Sequence, residues 1–429
     1  MTDHEASVPV PAPGNPMVSA TVARLIFFGG RYFSLLFVAY LLGDDATGFL
    51  LSVAIVELFR IIFDYGLENN VLARLHQKDF PAAQDFARGK GYFRLLATVL
   101  GQLVTSGVIA LACLKSEIPL GVPLVASLQF TFLMGFGYVQ AHLQTGDSQD
   151  MAALVRPLGL ALLIQSALLV LAREEVIPIW WCMIFFEAVS LSASVILAKR
   201  HGPKPDIETS VLPKTLERHA PAVLGGVFKS IAPLGNVALL GVAYTRVDAL
   251  AVSLVASGTL LTQYLLYQRL ASAPLMFFST LASVSIARLS SSSIDVVGSS
   301  NGATVVHKYA GILAVLSGVG LAAVGPLTVQ LFSIESLNWD LLVVQCTVLA
   351  FQVSNGFRAA SLIARHESLQ LWKVARNNSM LAMVILPAGA GLSGVFGVAI
   401  ALCVIEMFCA AQYFRFHSLS QAARSRDVN

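Results

Sequence analysis

RLIFFGGRYFSLLFVAYLLGDDATGFLLSVAIVELFRIIFDYGLENNVLAR, residues 24–74, decides the class of this protein. Two helix-length apolar runs meet at a tight acidic turn, GDDATG, residues 43–48. The first run carries Arg24 and Arg31, and the second carries Glu57, Arg60, Asp64 and Glu68. At 100° per residue the four ionisable positions of the second run fall within about 80° of one another, so they form one stripe on an otherwise hydrocarbon helix. Each charge at a bilayer centre costs at least ~2.5–3.5 kcal/mol on insertion scales, so the stripe is expected to face a protein interior or a watered cavity, with partners. The rest of the chain is expected to enclose it.

Composition agrees. A soluble domain is about a quarter charged, whereas this chain of 429 residues is 12% charged and 56% hydrophobic, with mean hydropathy +0.73. It reads as a polytopic membrane protein. The N-terminal MTDHEASVPVPAPGNP has no basic segment and no small-residue cleavage site ahead of the first apolar run, so it is expected to be a short disordered tail and not a signal peptide. The net charge of +3 gives no reason to expect nucleic acid. Cys113, Cys182, Cys346, Cys403 and Cys409 are scattered through apolar runs without metal-ligand spacing, so neither a metal nor a cofactor is expected and the cysteines read as small hydrophobes. The histidines lie in tails, loops and run ends, which argues against a histidine relay across the membrane.

Runs long enough to span a bilayer at 1.5 Å per residue lie near 18–42, 48–69, 93–114, 122–142, 151–172 and 176–198, and again near 223–255, 259–280, 309–332, 340–362, 372–391 and 394–414. That predicts an all-α membrane protein of twelve transmembrane helices in two six-helix lobes, and excludes a β-barrel because the runs exceed strand length and do not alternate. The expected organisation is a cytoplasmic tail at 1–17, an N-lobe at 18–198, a linker at 199–222, a C-lobe at 223–414 and a second tail at 415–429. Basic residues orient it. Arg74, Lys78, Arg88 and Lys90 follow the second span, Lys199, Arg200, Lys204, Lys214 and Arg218 fill the central link, and Arg415, Arg424 and Arg426 mark the tail. The opposite connections carry only Lys115 and Arg173, so both termini are expected in the cytoplasm.

The halves resemble each other. An offset of 214 sets Ala73-Arg74-Leu75 on Ala287-Arg288-Leu289, and offsets of 219–220 set Arg156 on Arg376 and Glu187 on Glu406. With an even number of spans each, the halves should share one orientation and be related by an axis along the membrane normal. Gly29-Gly30, Pro157, Pro233 with Gly235, Pro274, Pro326 and Pro387 interrupt the spans. Either they are the usual Gly and Pro of membrane helices, or they bend helices that line a moving cavity.

A basic first span, the turn LLGDDATGF, a second span ending in DYGLENNVLARL and its echo YTRVDALAVSLVASGTLLTQYLLYQRL resemble bacterial polysaccharide (Wzx-like) flippases. These belong to the MOP exporter superfamily, which also holds multidrug and toxic-compound extruders (MATE) and the lipid II flippase. The likeness covers essentially the whole chain. One departure is Thr262, which stands where the first half has Gly48. The resemblance implies two lobes about a central cleft that opens alternately to either side of the bacterial inner membrane. It also implies a cargo of oligosaccharide on a polyprenyl pyrophosphate carrier, with a polysaccharide polymerase and glycosyltransferases as partners alongside membrane lipid.

In the first half, Arg24, Arg31 and Arg60 stand against Glu57, Asp64 and Glu68; depth along antiparallel helices puts Arg31 near Glu57 or Arg60 and Arg24 nearer Asp64. This is either a neutralised polar seam or a cationic anion site tuned by carboxylates. In the second half Lys229, Arg246 and Arg269 face only Asp248 as a mid-span acid, an imbalance that favours an anionic ligand. The six cations are therefore the expected substrate-binding groups, and Glu57, Asp64, Asp248, Glu187 and Glu406 the charge-tuning or ion-coupling ones. Glu187 and Glu406 each stand alone in an apolar run and read either as neutral hydrogen-bonding groups or as proton carriers. Gln345, Gln352 and Asn355 form another stripe, suited to sugar hydroxyls or to helix packing. A drug extruder of the same superfamily should instead favour an acidic, aromatic cavity. A membrane glycosyltransferase or polymerase would need a catalytic acid such as Asp44 or Asp45, which turn chemistry explains more simply; no enzyme is expected.

Overall fold

The computed structural model describes residues 16–65, 67, 82–145, 149–201, 225, 227–228, 231–232, 235–237, 239–241, 247–291, 300–332, 334, 337–364 and 368–427. The expectations for the N-terminal tail, most of the linker, Glu68, Lys229, Pro233 and Arg246 lie outside those residues, as does the side chain of Arg24.

The chain is helical: α1 Pro16–Leu42, α2 Ala46–Asp64, α3 Ala82–Lys115, α4 Gly121–Ser127, α5 Gln129–Thr145, α6 Gln149–Arg173, α7 Trp180–His201, α8 Asp248–Val255, α9 Gly258–Ser291, α10 Ser300–Leu331, α11 Trp339–Ala364 and α12 Ser368–Asp427. Among the described residues there is no strand. Among the described residues, eight stretches are long and apolar enough to cross a membrane. Two of them, of 40 and 48 residues, are long enough for two crossings each. Leu25–Asp64 contains the 3-10 turn Gly43–Asp45, and Leu369–Phe416 contains a break at Ser393 and Gly394. The first part of α9, where the side chains are described, holds Gln263, Gln268 and Arg269 and falls outside that set, and the span expected at 223–255 falls partly outside the described residues.

Hydrophobicity is arranged inside out. Leu103, Leu111, Leu163, Met383 and Val384 are each about two-thirds exposed, while Arg31, Glu187, Asp248, Arg269 and Glu406 are buried. In a membrane this arrangement suits lipid outside and polar pairing within.

Chain direction changes where the backbone can turn. Gly43 adopts φ 54 at the end of α1, and Tyr65 closes α2 in the left-handed region at φ 45, its N–H bonding the Ile61 carbonyl at 3.2 Å. Pro157, Pro274, Pro326 and Pro387 sit inside continuous helices. The interruption is instead at Gly394, φ 56, within the GLSG connection. Gly30 also leaves α1 unbroken, and its lack of a side chain admits the Phe186 ring, which a Cβ would meet at 2.9 Å.

The helices α1–α7 pack among themselves, and α8–α12 do likewise. The two bundles meet along α1, α2, α3, α8 and α9: α1 touches α9, α2 touches α8 and α9, and α3 touches α8. If α2 corresponds to α9, this exchange is the one a twofold axis between the halves produces.

Candidate functional site

Depth brings three charges together. Arg31 lies eleven residues before the end of α1, Glu57 eleven after the start of α2, and Arg269 eleven after the start of α9. At 1.5 Å per residue each is roughly 16 Å from the same face, near the middle of a ~30 Å hydrocarbon core. There Glu57 Oε1 accepts from Arg31 Nη1 and from Arg269 Nη1, each at 2.7 Å. One carboxylate oxygen thus joins the two bundles.

Arg31 also reaches α7, where its Nε donates to Glu187 Oε1 at 3.1 Å, and its Nη2 approaches Gln129 Oε1 of α5 at 3.5 Å. The Gln129 amide is oriented by its own donation to the Met183 carbonyl at 2.7 Å. The side chains of Arg31, Glu187 and Arg269 are 3–4% exposed and that of Glu57 is 12% exposed. Burial at this depth makes each pair conditional on its partner, because an ion left alone keeps its desolvation cost and loses its compensation.

The expected contact of Arg31 with Glu57 is present. The expectation that Glu187 stands without a cation is overturned, because α7 packs against α1 and places its carboxylate beside the guanidinium. Asp64 pairs with Arg94 of α3 at 2.5 Å, a partner not anticipated from the sequence. Arg94 also donates to the Met134 carbonyl and lies 5.8 Å from the centre of the Tyr138 ring. Its position one residue inside an apolar run was the available signal. Arg60 lies on α2 and engages partners of its own.

In the second bundle Asp248 accepts from the Tyr264 hydroxyl and from Gln268 Nε2 at 3.0 Å. Glu406 accepts from Asn355 Nδ2 at 2.8 Å, so that member of the α11 polar stripe serves helix packing. Among the described residues, no cation pairs with Glu406.

The bundles also meet above and below the charge cluster. Near the Gly43–Asp45 turn, the Thr47 and Thr262 hydroxyls share a hydrogen bond at 2.5 Å, and Ser116 donates to the Ser253 carbonyl at 3.3 Å. At the other end of α2, the Tyr65 hydroxyl donates to Asn236 Oδ1 at 2.6 Å while its ring stacks on Phe228 at 5.0 Å. Gly235 makes room for that ring, since a Cβ there would meet it at 2.6 Å. With the charge cluster, these contacts join the two halves of the chain at three depths.

No protein-family model matches the sequence, and no curated protein is similar to it in sequence. Solved structures are similar in fold. The lipid II flippase MurJ in an inward closed conformation aligns with a TM-score of 0.62 at 14% identity, over 94% of this chain and 87% of that one. The eukaryotic MATE transporter AtDTX14 aligns with a TM-score of 0.65 at 14% identity, over 96% of each chain. An inward-facing multidrug resistance MATE family transporter of the MOP superfamily aligns with a TM-score of 0.59 at 12% identity, over 96% of this chain and 95% of that one. The protein therefore shares the all-α fold of the MurJ and MATE structures.

Proposed function

We propose that this protein is a transporter that carries polyprenyl-pyrophosphate-linked oligosaccharide across the bacterial inner membrane by alternating access, for surface polysaccharide synthesis. The observation that carries this reading is the convergence of Arg31 and Arg269, one from each bundle, on a single Glu57 oxygen at mid-membrane depth. Carboxylate and phosphate oxygens accept the same guanidinium geometry, so Glu57 holds a place that a carrier diphosphate can take.

Diphosphate binding draws both arginines from Glu57 and gives the bundles a new shared anion. Glu57 and Glu187 reclaim the arginines on release, which keeps affinity moderate. The polyprenyl tail stays in lipid at the cleft while the sugar occupies the interior. Arg24, Arg60, Lys229 and Arg246 extend the cationic path, with Asp64, Asp248 and Glu406 as neutralising groups. The lobes at 18–198 and 223–414 keep one orientation, with both termini, the 199–222 linker and the 415–429 tail in the cytoplasm. A polymerase and glycosyltransferases work on either side of this step.

A second reading is favoured by one feature. Arg31 and Arg269 are matched by Glu57 and Glu187, so this cluster has no basic excess. Extrusion of an organic cation by a MATE-like antiporter fits that balance. Reconstituted vesicles separate the two: a fluorescent polyprenyl-pyrophosphate oligosaccharide should cross to the opposite leaflet only with the protein present, whereas uptake of a lipophilic cation without oligosaccharide flipping would support the antiporter.

A further inference from the structure

In the second bundle, helices α10, α11 and the last part of α12 enclose an open groove with a cavity volume of about 440 Å³. Its walls are apolar. Val315 and Val319 of α10 and Phe414 of α12 line it and are each about 60% exposed, which in a membrane chain means exposed to lipid. One charged side chain, Arg358 of α11, lines the groove.

Arg358 is only partly compensated. Its guanidinium stacks over the Phe414 ring at 4.0 Å, while Nη1 is buried and makes no hydrogen bond among the described residues. No carboxylate lines the groove beside it. A guanidinium in apolar surroundings with an unused donor is complementary to a phosphate oxygen.

Position supplies the rest. Arg358 lies nineteen residues after the start of α11, roughly 28 Å along it, which places the guanidinium at one edge of a ~30 Å hydrocarbon core. From Arg358 the groove follows α11 back to Cys346, twelve residues or roughly 18 Å, close to the depth of one leaflet. A cation at headgroup level above a one-leaflet apolar channel matches a lipid with a charged head and a long chain.

We propose that this groove is a binding site for an anionic phospholipid: one acyl chain lies along α10 and α11, and the headgroup phosphate is bonded by Arg358. The site is separate from the cluster between the bundles. It does not depend on which cargo the protein carries.

The test is native mass spectrometry of the purified full chain in detergent, titrated with phosphatidylglycerol, phosphatidylethanolamine or inorganic phosphate. The expected result is preferential retention of phosphatidylglycerol, reduced about tenfold in Arg358→Gln, as loss of one charge-assisted bond predicts, and partly kept in Arg358→Lys. Ala350→Phe narrows the groove while leaving the cation, and is expected to reduce phosphatidylglycerol retention as well. Equal retention of the two lipids, or unchanged retention in both Arg358→Gln and Ala350→Phe, overturns the proposal. Retention of inorganic phosphate at the same concentration, lost in Arg358→Gln and indifferent to Ala350→Phe, overturns it in favour of a free anion.

Discussion

Arg269 Nη1 donates to Glu57 Oε1 at 2.7 Å, an ion pair between residues 212 apart in the chain that ties α9 to α2 across the two bundles. The same oxygen receives Arg31 at an equal distance. Removing the shared carboxylate therefore takes an anionic partner from two cations at once.

Glu57→Ala is expected to destabilise the protein by about 3–5 kcal/mol, the usual cost of breaking a buried ion pair from one side. Combining Glu57→Leu with Arg269→Met removes the inter-bundle pair, leaves Arg31 with Glu187, and should recover most of that loss while transport stays absent. Thermal melting in detergent, read beside vesicle transport, checks both. A Glu57→Ala protein that melts like the wild type would show that the cluster contributes little to stability.

Arg31→Ala and Arg269→Ala are each expected to abolish surface polysaccharide in a deletion strain while membrane protein level is retained. Lysine at either position keeps a point charge but not the planar fork, so partial rescue is expected. Full polysaccharide from the double alanine variant, with expression quantified, would reject these arginines as the cargo site.

The two buried glutamates should behave differently. In Glu406→Gln the amide oxygen can still accept from Asn355, so near wild-type transport is expected. Glu187→Gln removes one of the two carboxylates on Arg31 and should lower the rate measurably. Gradient-driven transport in the two single variants and the double variant measures this. Loss of transport in Glu406→Gln alone would make that carboxyl a coupling group.

Thr47 and Thr262 bring the bundles together near the Gly43–Asp45 turn. Cysteines at both positions are expected to form a disulfide under mild oxidation and to stop transport, with recovery on reduction. A crosslinked protein that transports at the wild-type rate would mean that these ends need not separate.

Class, helical content and the approximate place of most crossings were legible in the sequence because they depend on local sums. An apolar run of bilayer length partitions as a helix whatever its neighbours do. The turn GDDATG likewise had one plausible use, and Gly43 takes the backbone conformation that the turn requires.

Which charges meet was a different matter. Asp64 finds Arg94, a partner that depth along α1 and α2 did not suggest, and Glu187 reaches Arg31 from 156 residues away. Such pairings depend on how far each helix is rotated about its axis and which helix lies beside it. Ring contacts such as Phe27 on Phe136 at 3.7 Å, and close approaches permitted by Gly30 and Gly235, help set those rotations. They are properties of packed surfaces, and no single span contains them. The sequence by itself determined that buried ions must find partners; the tertiary structure chose them, because a few degrees of helix rotation move a guanidinium past one carboxylate to another.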